Sequence, residues 1–347
     1  MKRQQQASHR ARRKALRTLA ALLPLPALWS ATAPAAAQSP APTILLIESY
    51  HAGFEWDAGY KAALQARLEP AYRVVSVELD TKRLPPARHA AMADSAWASY
   101  LKLKPALVIV GDDAALSLLA ARLGATATPV VYLGINNNPR AYFDPAKVRN
   151  ITGVLERPLV KRNVAQLRKI LPAARRVLFL FDTSMTSTVL LSEVFQGRAR
   201  QTIEGLEVDI KLIADWPLWQ AEVLAARSKG YDAIYLGTYQ AVREETAFPR
   251  TAMAMLRWTS EHAQVPVFGL WDFFVGPDLA VGGLVLDGRE QGMAAADIAL
   301  RILSGAAPSS IYPVTAQRGR FVFSRAQLLR HHIVLPPEIA AQSTLVD

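Results

Sequence analysis

Two adjacent carboxylates, Asp112 and Asp113, and the histidine His51 are the side chains whose types first suggest acid–base chemistry. Neighbouring residues at a helix start point apart, so the carboxylates do not form an acid–base couple. His51 stands alone and reads as a rim or ligand contact. His331-His332 lacks carboxylates at metal-ligand spacing, so no metal is expected. No G-x-S-x-G, H-E-x-x-H, P-loop or strand-following G-x-G-x-x-G occurs. The expectation is a protein that is not an enzyme and needs no cofactor.

Recognition chemistry is better supplied. Six short stretches follow expected strands, and five of them set an amide, carboxylate or hydroxyl beside a glycine or aromatic ring. They hold Ser49, Tyr50, His51 and Trp56; Asp112 and Asp113; Asn136; Asp182, Thr183 and Ser184; Thr238 and Tyr239; and Trp271 and Asp272. Aromatic walls with a few placed polar groups suit a small-molecule pocket, and these residues are the candidate ligand contacts. Helix N-termini after Ser49, Gly111 and Asp182 are expected to meet an anionic group. Asp57, Asp112 or Asp113, and Ser184 also suit ordinary N-caps.

The elements that would position these residues alternate from Thr43 onward between apolar runs and helical patterns, as in βαβ units. Strands are expected at 43–48, 72–79, 106–110, 129–135 and 150–154, with helices at 57–68, 86–101, 112–123 and 159–170. The pattern then restarts. Strands at 176–181, 208–213, 233–236 and 265–270 alternate with helices at 186–204, 217–229 and 248–262. A strand at 281–286, a helix at 289–303 and a tail that crosses back complete the chain. The expected architecture is α/β: two Rossmann-like lobes of doubly wound parallel sheet joined by a three-stranded hinge. Residues 38–157 with about 284–308 form lobe 1, and 158–283 with about 309–347 form lobe 2. Ligands of open parallel sheets bind beyond the carboxyl ends of the strands, where all six stretches lie.

The first 37 residues fall outside this scheme. They hold seven basic residues and no acidic one, then an apolar run from Leu19 to Trp29 and Ala35-Ala36-Ala37. That order reads as a cleavable signal peptide, cut after Ala37 and directing export to the periplasm. The whole chain carries a formal charge of +11; setting the leader aside leaves 33 basic against 29 acidic residues. No basic face remains to bind nucleic acid. With no cysteine, disulfides, thiolate catalysis, thiolate metal sites and a lipid-modified N-terminal cysteine are excluded.

Several segments carry a family resemblance: Ser49-Tyr50-His51 with Gly53-Phe54 and Trp56, Leu79-Asp80-Thr81-Lys82-Arg83, and Gly111-Asp112-Asp113-Ala114-Ala115-Leu116. Pro129-Val130-Val131-Tyr132-Leu133-Gly134-Ile135-Asn136, Ile151-Thr152-Gly153-Val154-Leu155-Glu156, Phe181-Asp182-Thr183-Ser184 and Leu335-Pro336-Pro337-Glu338-Ile339 complete the set. In their order the chain resembles the type I periplasmic binding proteins. It also resembles the ABC-transporter substrate-binding family that includes tryptophan/tyrosine-type solute receptors. The resemblance implies hinge closure over a small molecule, an amino acid or aromatic acid, by a monomer that meets an ABC permease in the inner membrane. The same motifs resemble sensor domains fused to histidine kinases and cyclases, which leaves a free sensing subunit for a membrane signalling protein as the alternative.

Overall fold

The computed structural model describes residues 41–347, apart from 70, 247–250 and 317; the expected leader lies outside the described residues. The first half runs β1 (Thr43–Glu48), α1 (Glu55–Leu68), β2 (Arg73–Glu78), α2 (Pro86–Leu103), β3 (Leu107–Gly111), α3 (Asp112–Gly124), β4 (Val130–Ile135) and β5 (Ile151–Glu156). The second runs α4 (Val160–Ile170), β6 (Arg176–Phe181), α5 (Met185–Glu193), β7 (Arg200–Ile203), β8 (Leu206–Leu212), α6 (Trp216–Leu224), β9 (Ala233–Leu236), α7 (Ala252–His262) and β10 (Val267–Gly269). The last stretch holds β11 (Gly282–Val285), α8 (Gly288–Leu303), β12 (Val314–Ala316), β13 (Arg320–Ser324), α9 (Arg325–Arg330), α10 (Pro337–Ala340) and β14 (Ser343–Val346).

Strands β1, β3, β4 and β6 are buried along almost their whole length, as apolar runs covered on both faces must be. They lie at the centres of two sheets. The first has the order β2-β1-β3-β4-β5-β12 and is parallel throughout. The second has the order β7-β8-β6-β9-β10 and is parallel except for its edge strand β7. A third, mixed sheet, β11-β13-β14, forms where the chain returns. Both large sheets reverse their strand order once, between β1 and β3 and between β6 and β9. Such reversals are where ligands bind doubly wound sheets.

Three helices differ from expectation. The helix expected over 186–204 stops at Glu193, and Arg200–Ile203 pairs antiparallel with β8 instead. Gln196 and Gly197 take positive φ, which ends the helix, and Glu204-Gly205 at +48° and +80° make a two-residue hairpin turn. Helix α6 ends at Leu224 rather than 229. Helix α7 begins at Ala252 rather than 248, and 247–250 are outside the described residues.

Helices α1 and α8 cross closely beneath the first sheet. A Cβ on Gly288 would lie 2.4 Å from the Trp56 carbonyl oxygen, and one on Gly292 2.4 Å from that of Tyr60. Only the absence of a side chain permits this approach, which seats the first turn of α1 and hence Trp56.

Candidate functional site

At the first sheet's reversal, the chain leaves β1 at Glu48 directly beside Gly111, the last residue of β3. Ser49 ties the two ends together: its hydroxyl donates to the Gly111 carbonyl at 2.6 Å and accepts the Ala115 N–H at 2.8 Å. Ser49 thereby satisfies the start of α3 from a neighbouring strand, while the local N-cap, Gly111, has no side chain to offer. Asp112 and Asp113 are therefore free of capping and turn to other partners. Asp57 lies inside the first turn of α1 and accepts the Tyr50 N–H, and Ser184 caps α5 by position without a side-chain bond. Of the four candidate caps only Ser184 holds an N-cap position; Asp57, Asp112 and Asp113 lie inside their helices.

Asp112 sits in the left-handed region at φ +73° and is buried. Its Oδ1 accepts the Tyr50 hydroxyl at 3.0 Å and its Oδ2 the Trp56 indole N–H at 2.9 Å. Gly134, at a bulge of β4, leaves room for this pair: a Cβ there would come within 3.3 Å of Asp112 Oδ2 and 3.5 Å of Trp56 Nε1. Burial pushes the Asp112 carboxyl up to about 7, with the Asp113 charge adding to it; Lys82 and the Tyr50 and Trp56 bonds pull the other way.

A second carboxylate faces the same space. Glu156 ends β5 and is buried; its Oε1 accepts the Trp271 indole N–H at 2.9 Å and its Oε2 the Asn136 amide at 3.0 Å. Burial and the nearby Asp112 charge hold it well above the usual carboxylate range. The cation is Lys82, just past β2, only 4% exposed, with Nζ 4.3 Å from the Tyr50 ring centre and 5.1 Å from that of Phe54.

From the second sheet's reversal comes Asp182, which accepts the Ser184 and Ala241 N–H groups and the Ser187 and Thr238 hydroxyls. Burial opposes its charge, but Lys82 and these hydrogen bonds outweigh it and hold Asp182 below its ordinary value. The network orients Thr238 and the first turn of α5, where Thr186 lies 3.2 Å from the Tyr50 hydroxyl. Phe54 and Phe273 meet edge to face at 5.6 Å, and Arg243 donates to the Lys82 carbonyl at 3.0 Å.

Between these groups lies about 280 Å³ of empty space, counting its opening to solvent. Only about 20 Å³ of it admits the centre of a water-sized molecule, well below ligand cavities, which run from about 300 Å³. Of the expected contacts, Tyr50, Trp56, Asp112, Thr238 and Trp271 line it; His51 and Tyr239 line a larger depression at its mouth. Ser49, Asp113, Asn136, Asp182 and Ser184 act one layer back. Asp113, for example, accepts the Asn136 and Asn137 N–H groups and the Tyr142 hydroxyl. Thr183 is exposed, and Asp272 pairs with Arg320 at 2.7 Å. Lys82, Glu156, Thr186, Gln240, Phe54, Phe273 and Phe274 also line the cavity. Lys82 and Glu156 carried a legible signal, since both lie at carboxyl ends of parallel strands. The α3 N-terminus, expected to meet an anion, carries Asp112 and Asp113 instead.

The family model described as "ABC transporter substrate binding protein" matches residues 99–346. Comparison with curated proteins finds no match. Among solved structures, an ABC domain in complex with L-Trp from Streptococcus pneumonia superposes with a TM-score of 0.66 at 18% identity, covering 89% of this chain and all of that one. A conserved domain protein from Vibrio cholerae gives 0.65 at 17%, with 88% of this chain and all of that one covered. A ligand-free, open substrate binding protein with adhesive properties from Clostridium difficile gives 0.62 at 13%, again over 88% of this chain and all of that one. At these identities the likeness concerns fold: α/β, two-lobed, of the type I periplasmic binding protein kind.

Proposed function

The chain belongs to the ABC transporter substrate binding protein family, and from that premise we propose that it captures a small molecule between its lobes and delivers it to an ABC permease in the inner membrane. The cavity carries this reading. Six aromatic rings, two carboxylates and one ammonium converge on it from the carboxyl-end side of strands in both large sheets. A ligand touching both sides stabilises the closed arrangement in proportion to its preference for that arrangement over the open one. The Tyr50–Thr186 and Arg243–Lys82 contacts would bridge the lobes in the closed form. The ligand is read as an amino acid or aromatic acid, supported by the rings and by the L-Trp held in the Streptococcus neighbour. Export through the leader would place the protein, as a monomer, in the periplasm.

Native mass spectrometry of the gently purified protein, with small-angle scattering before and after stripping, tests the proposal. A small compound released intact, with expansion on stripping that re-addition reverses, is the expected outcome. Release of a chemically altered compound would point to catalysis. No bound compound, and no compaction with any of a panel of amino acids and aromatic acids, would overturn capture.

A further inference from the structure

We infer that Asn163, outside the cavity, is the pin of the hinge: its side-chain amide holds two of the three chain passes between the lobes together and so fixes the axis of closure. This role rests on the capture reading, in which the lobes move, and makes Asn163 a positioning residue for that motion.

The passes follow from the topology. The chain leaves the first sheet after β5, and Leu159 brings it into α4 and the second sheet. It comes back between β11 and α8, whose Gly288 and Gly292 lie against α1. It departs once more after β12, through Gly319, to β13. Asn163 stands in the first turn of α4 and is only 1% exposed. Its Nδ2 donates to the Leu159 carbonyl at 3.2 Å and to the Leu284 carbonyl at 2.8 Å, while its Oδ1 accepts the Leu284 N–H at 3.0 Å. An asparagine amide offers two donors and a carbonyl acceptor. Here all are spent where the first pass ends and the second begins.

Backbone pairing alone does not close this joint. Strand β11 pairs with β13 along one edge. Along the other, the Val281 N–H reaches the Val267 carbonyl and the Leu286 N–H the Leu270 carbonyl. Between those two bonds the Asn163 amide fills the place of a strand neighbour at Leu284, which is buried and would otherwise keep an unpaired N–H and C=O. A Cβ on Gly283 would lie 2.8 Å from the Gly269 carbonyl oxygen and 3.1 Å from Asn163 Oδ1, so glycine there lets the amide in. The Tyr235 hydroxyl donates to the Asn163 carbonyl at 3.1 Å and roots the joint in the second sheet. The third pass seats on it too: a Cβ on Gly319, at φ +58°, would meet the Leu159 side chain at 2.4 Å and the Val285 carbonyl oxygen at 3.3 Å. The joint reaches the cavity because Glu156 stands just before the first pass and Trp271 bridges to Leu286 just before the second, and their hydrogen bond links the two large sheets. A slack joint would let that pair drift, although Asn163 touches neither.

Interlobe distances measured by double electron–electron resonance on the stripped protein test this. The chain has no cysteine, so Lys102→Cys on α2 and Ala221→Cys on α6, both exposed, each carry one spin label. The distance peaks should be narrow in this background and at least twofold wider with Asn163→Leu. They should widen likewise with Asn163→Asp, which keeps the shape and the acceptor for the Leu284 N–H but loses the donors to both carbonyls. Thr259→Val, which strips the buried Trp219 indole of its acceptor on α7, controls for general loosening and should leave the peaks narrow. Unchanged widths in a folded Asn163 variant, or equal broadening by Thr259→Val, overturn the pin while leaving capture standing. If neither Asn163 variant folds, hydrogen exchange on the unaltered chain decides. A Leu284 amide protected as strongly as those of β6 supports the pin, and exchange at the rate of a loop amide overturns it. One identical distance before and after stripping overturns closure itself, and the capture reading with it.

Discussion

Asp112→Asn should make the ligand-free protein more stable at pH 8 than the unaltered chain, and should change it least below pH 4. The unfolded carboxyl titrates near 3.9, whereas burial and the neighbouring Asp113 charge push it up to about 7 in the folded protein. For a folded pKa raised in this way, the stability contributed by the protonated form is complete below the unfolded value. It is lost as pH rises through the folded value. Between pH 5 and 8 that loss amounts to roughly 2–3 kcal/mol for this one group. Asn removes the titration while tolerating the left-handed backbone at φ +73°. Its carbonyl can accept from Trp56 and its amide donate to the Tyr50 hydroxyl, so both partners stay satisfied. The deleted charge also relieves Asp57 and Glu156, both raised in part by Asp112. Urea unfolding at pH 5, 6, 7 and 8, with equal m-values, gives the variant's advantage at each pH. It should grow by about 2–3 kcal/mol across the range. Parallel profiles, differing by a constant, would refute the assignment of a buried Asp112 pushed up to about 7.

Trp271→Phe keeps a ring but removes the donor to Glu156, leaving a buried acceptor unpaired at about 1–3 kcal/mol. Lower stability at pH 8 and weaker binding should appear together, and finding neither contradicts the positioning role. Gly292→Ala should cost about 1–3 kcal/mol by forcing α8 off the Tyr60 carbonyl, read as a lower urea midpoint; no change would mean the helix crossing has slack. Asp209 accepts from Arg200, Tyr231 and Arg176; although burial opposes its charge, these bonds hold it below the usual carboxylate range. A depressed folded pKa contributes stability above the unfolded value, and that stability is lost as pH falls below it. Asp209→Asn should therefore lower the melting temperature at pH 7 more than at pH 3, and an equal drop at both argues against the ionised cluster.

Much of the architecture was legible because covering a parallel strand on both faces leaves a continuous apolar run, as in TILLIE at β1 or RVLFLF at β6. Helix ends were less legible. Whether 186–204 stays helical depends on the Glu204-Gly205 turn and on an open edge at β8, and a helical pattern in the sequence does not register either.

Composition and pattern alone determined the α/β class, the two successive parallel-sheet units and the loops at the carboxyl ends of their strands, since strand burial and strand-end position are local properties of the chain. Only the tertiary structure decided what each loop residue does. Ser49 is spent on a helix start 66 residues away, Asp113 on the loop after β4, and Asp182 on orienting Thr238. Lys82 and Glu156, from strands far apart in sequence, come to face the same cavity. Charge balance within a buried space depends on which groups meet there and how much water they lose, and both follow from how the chain closes on itself.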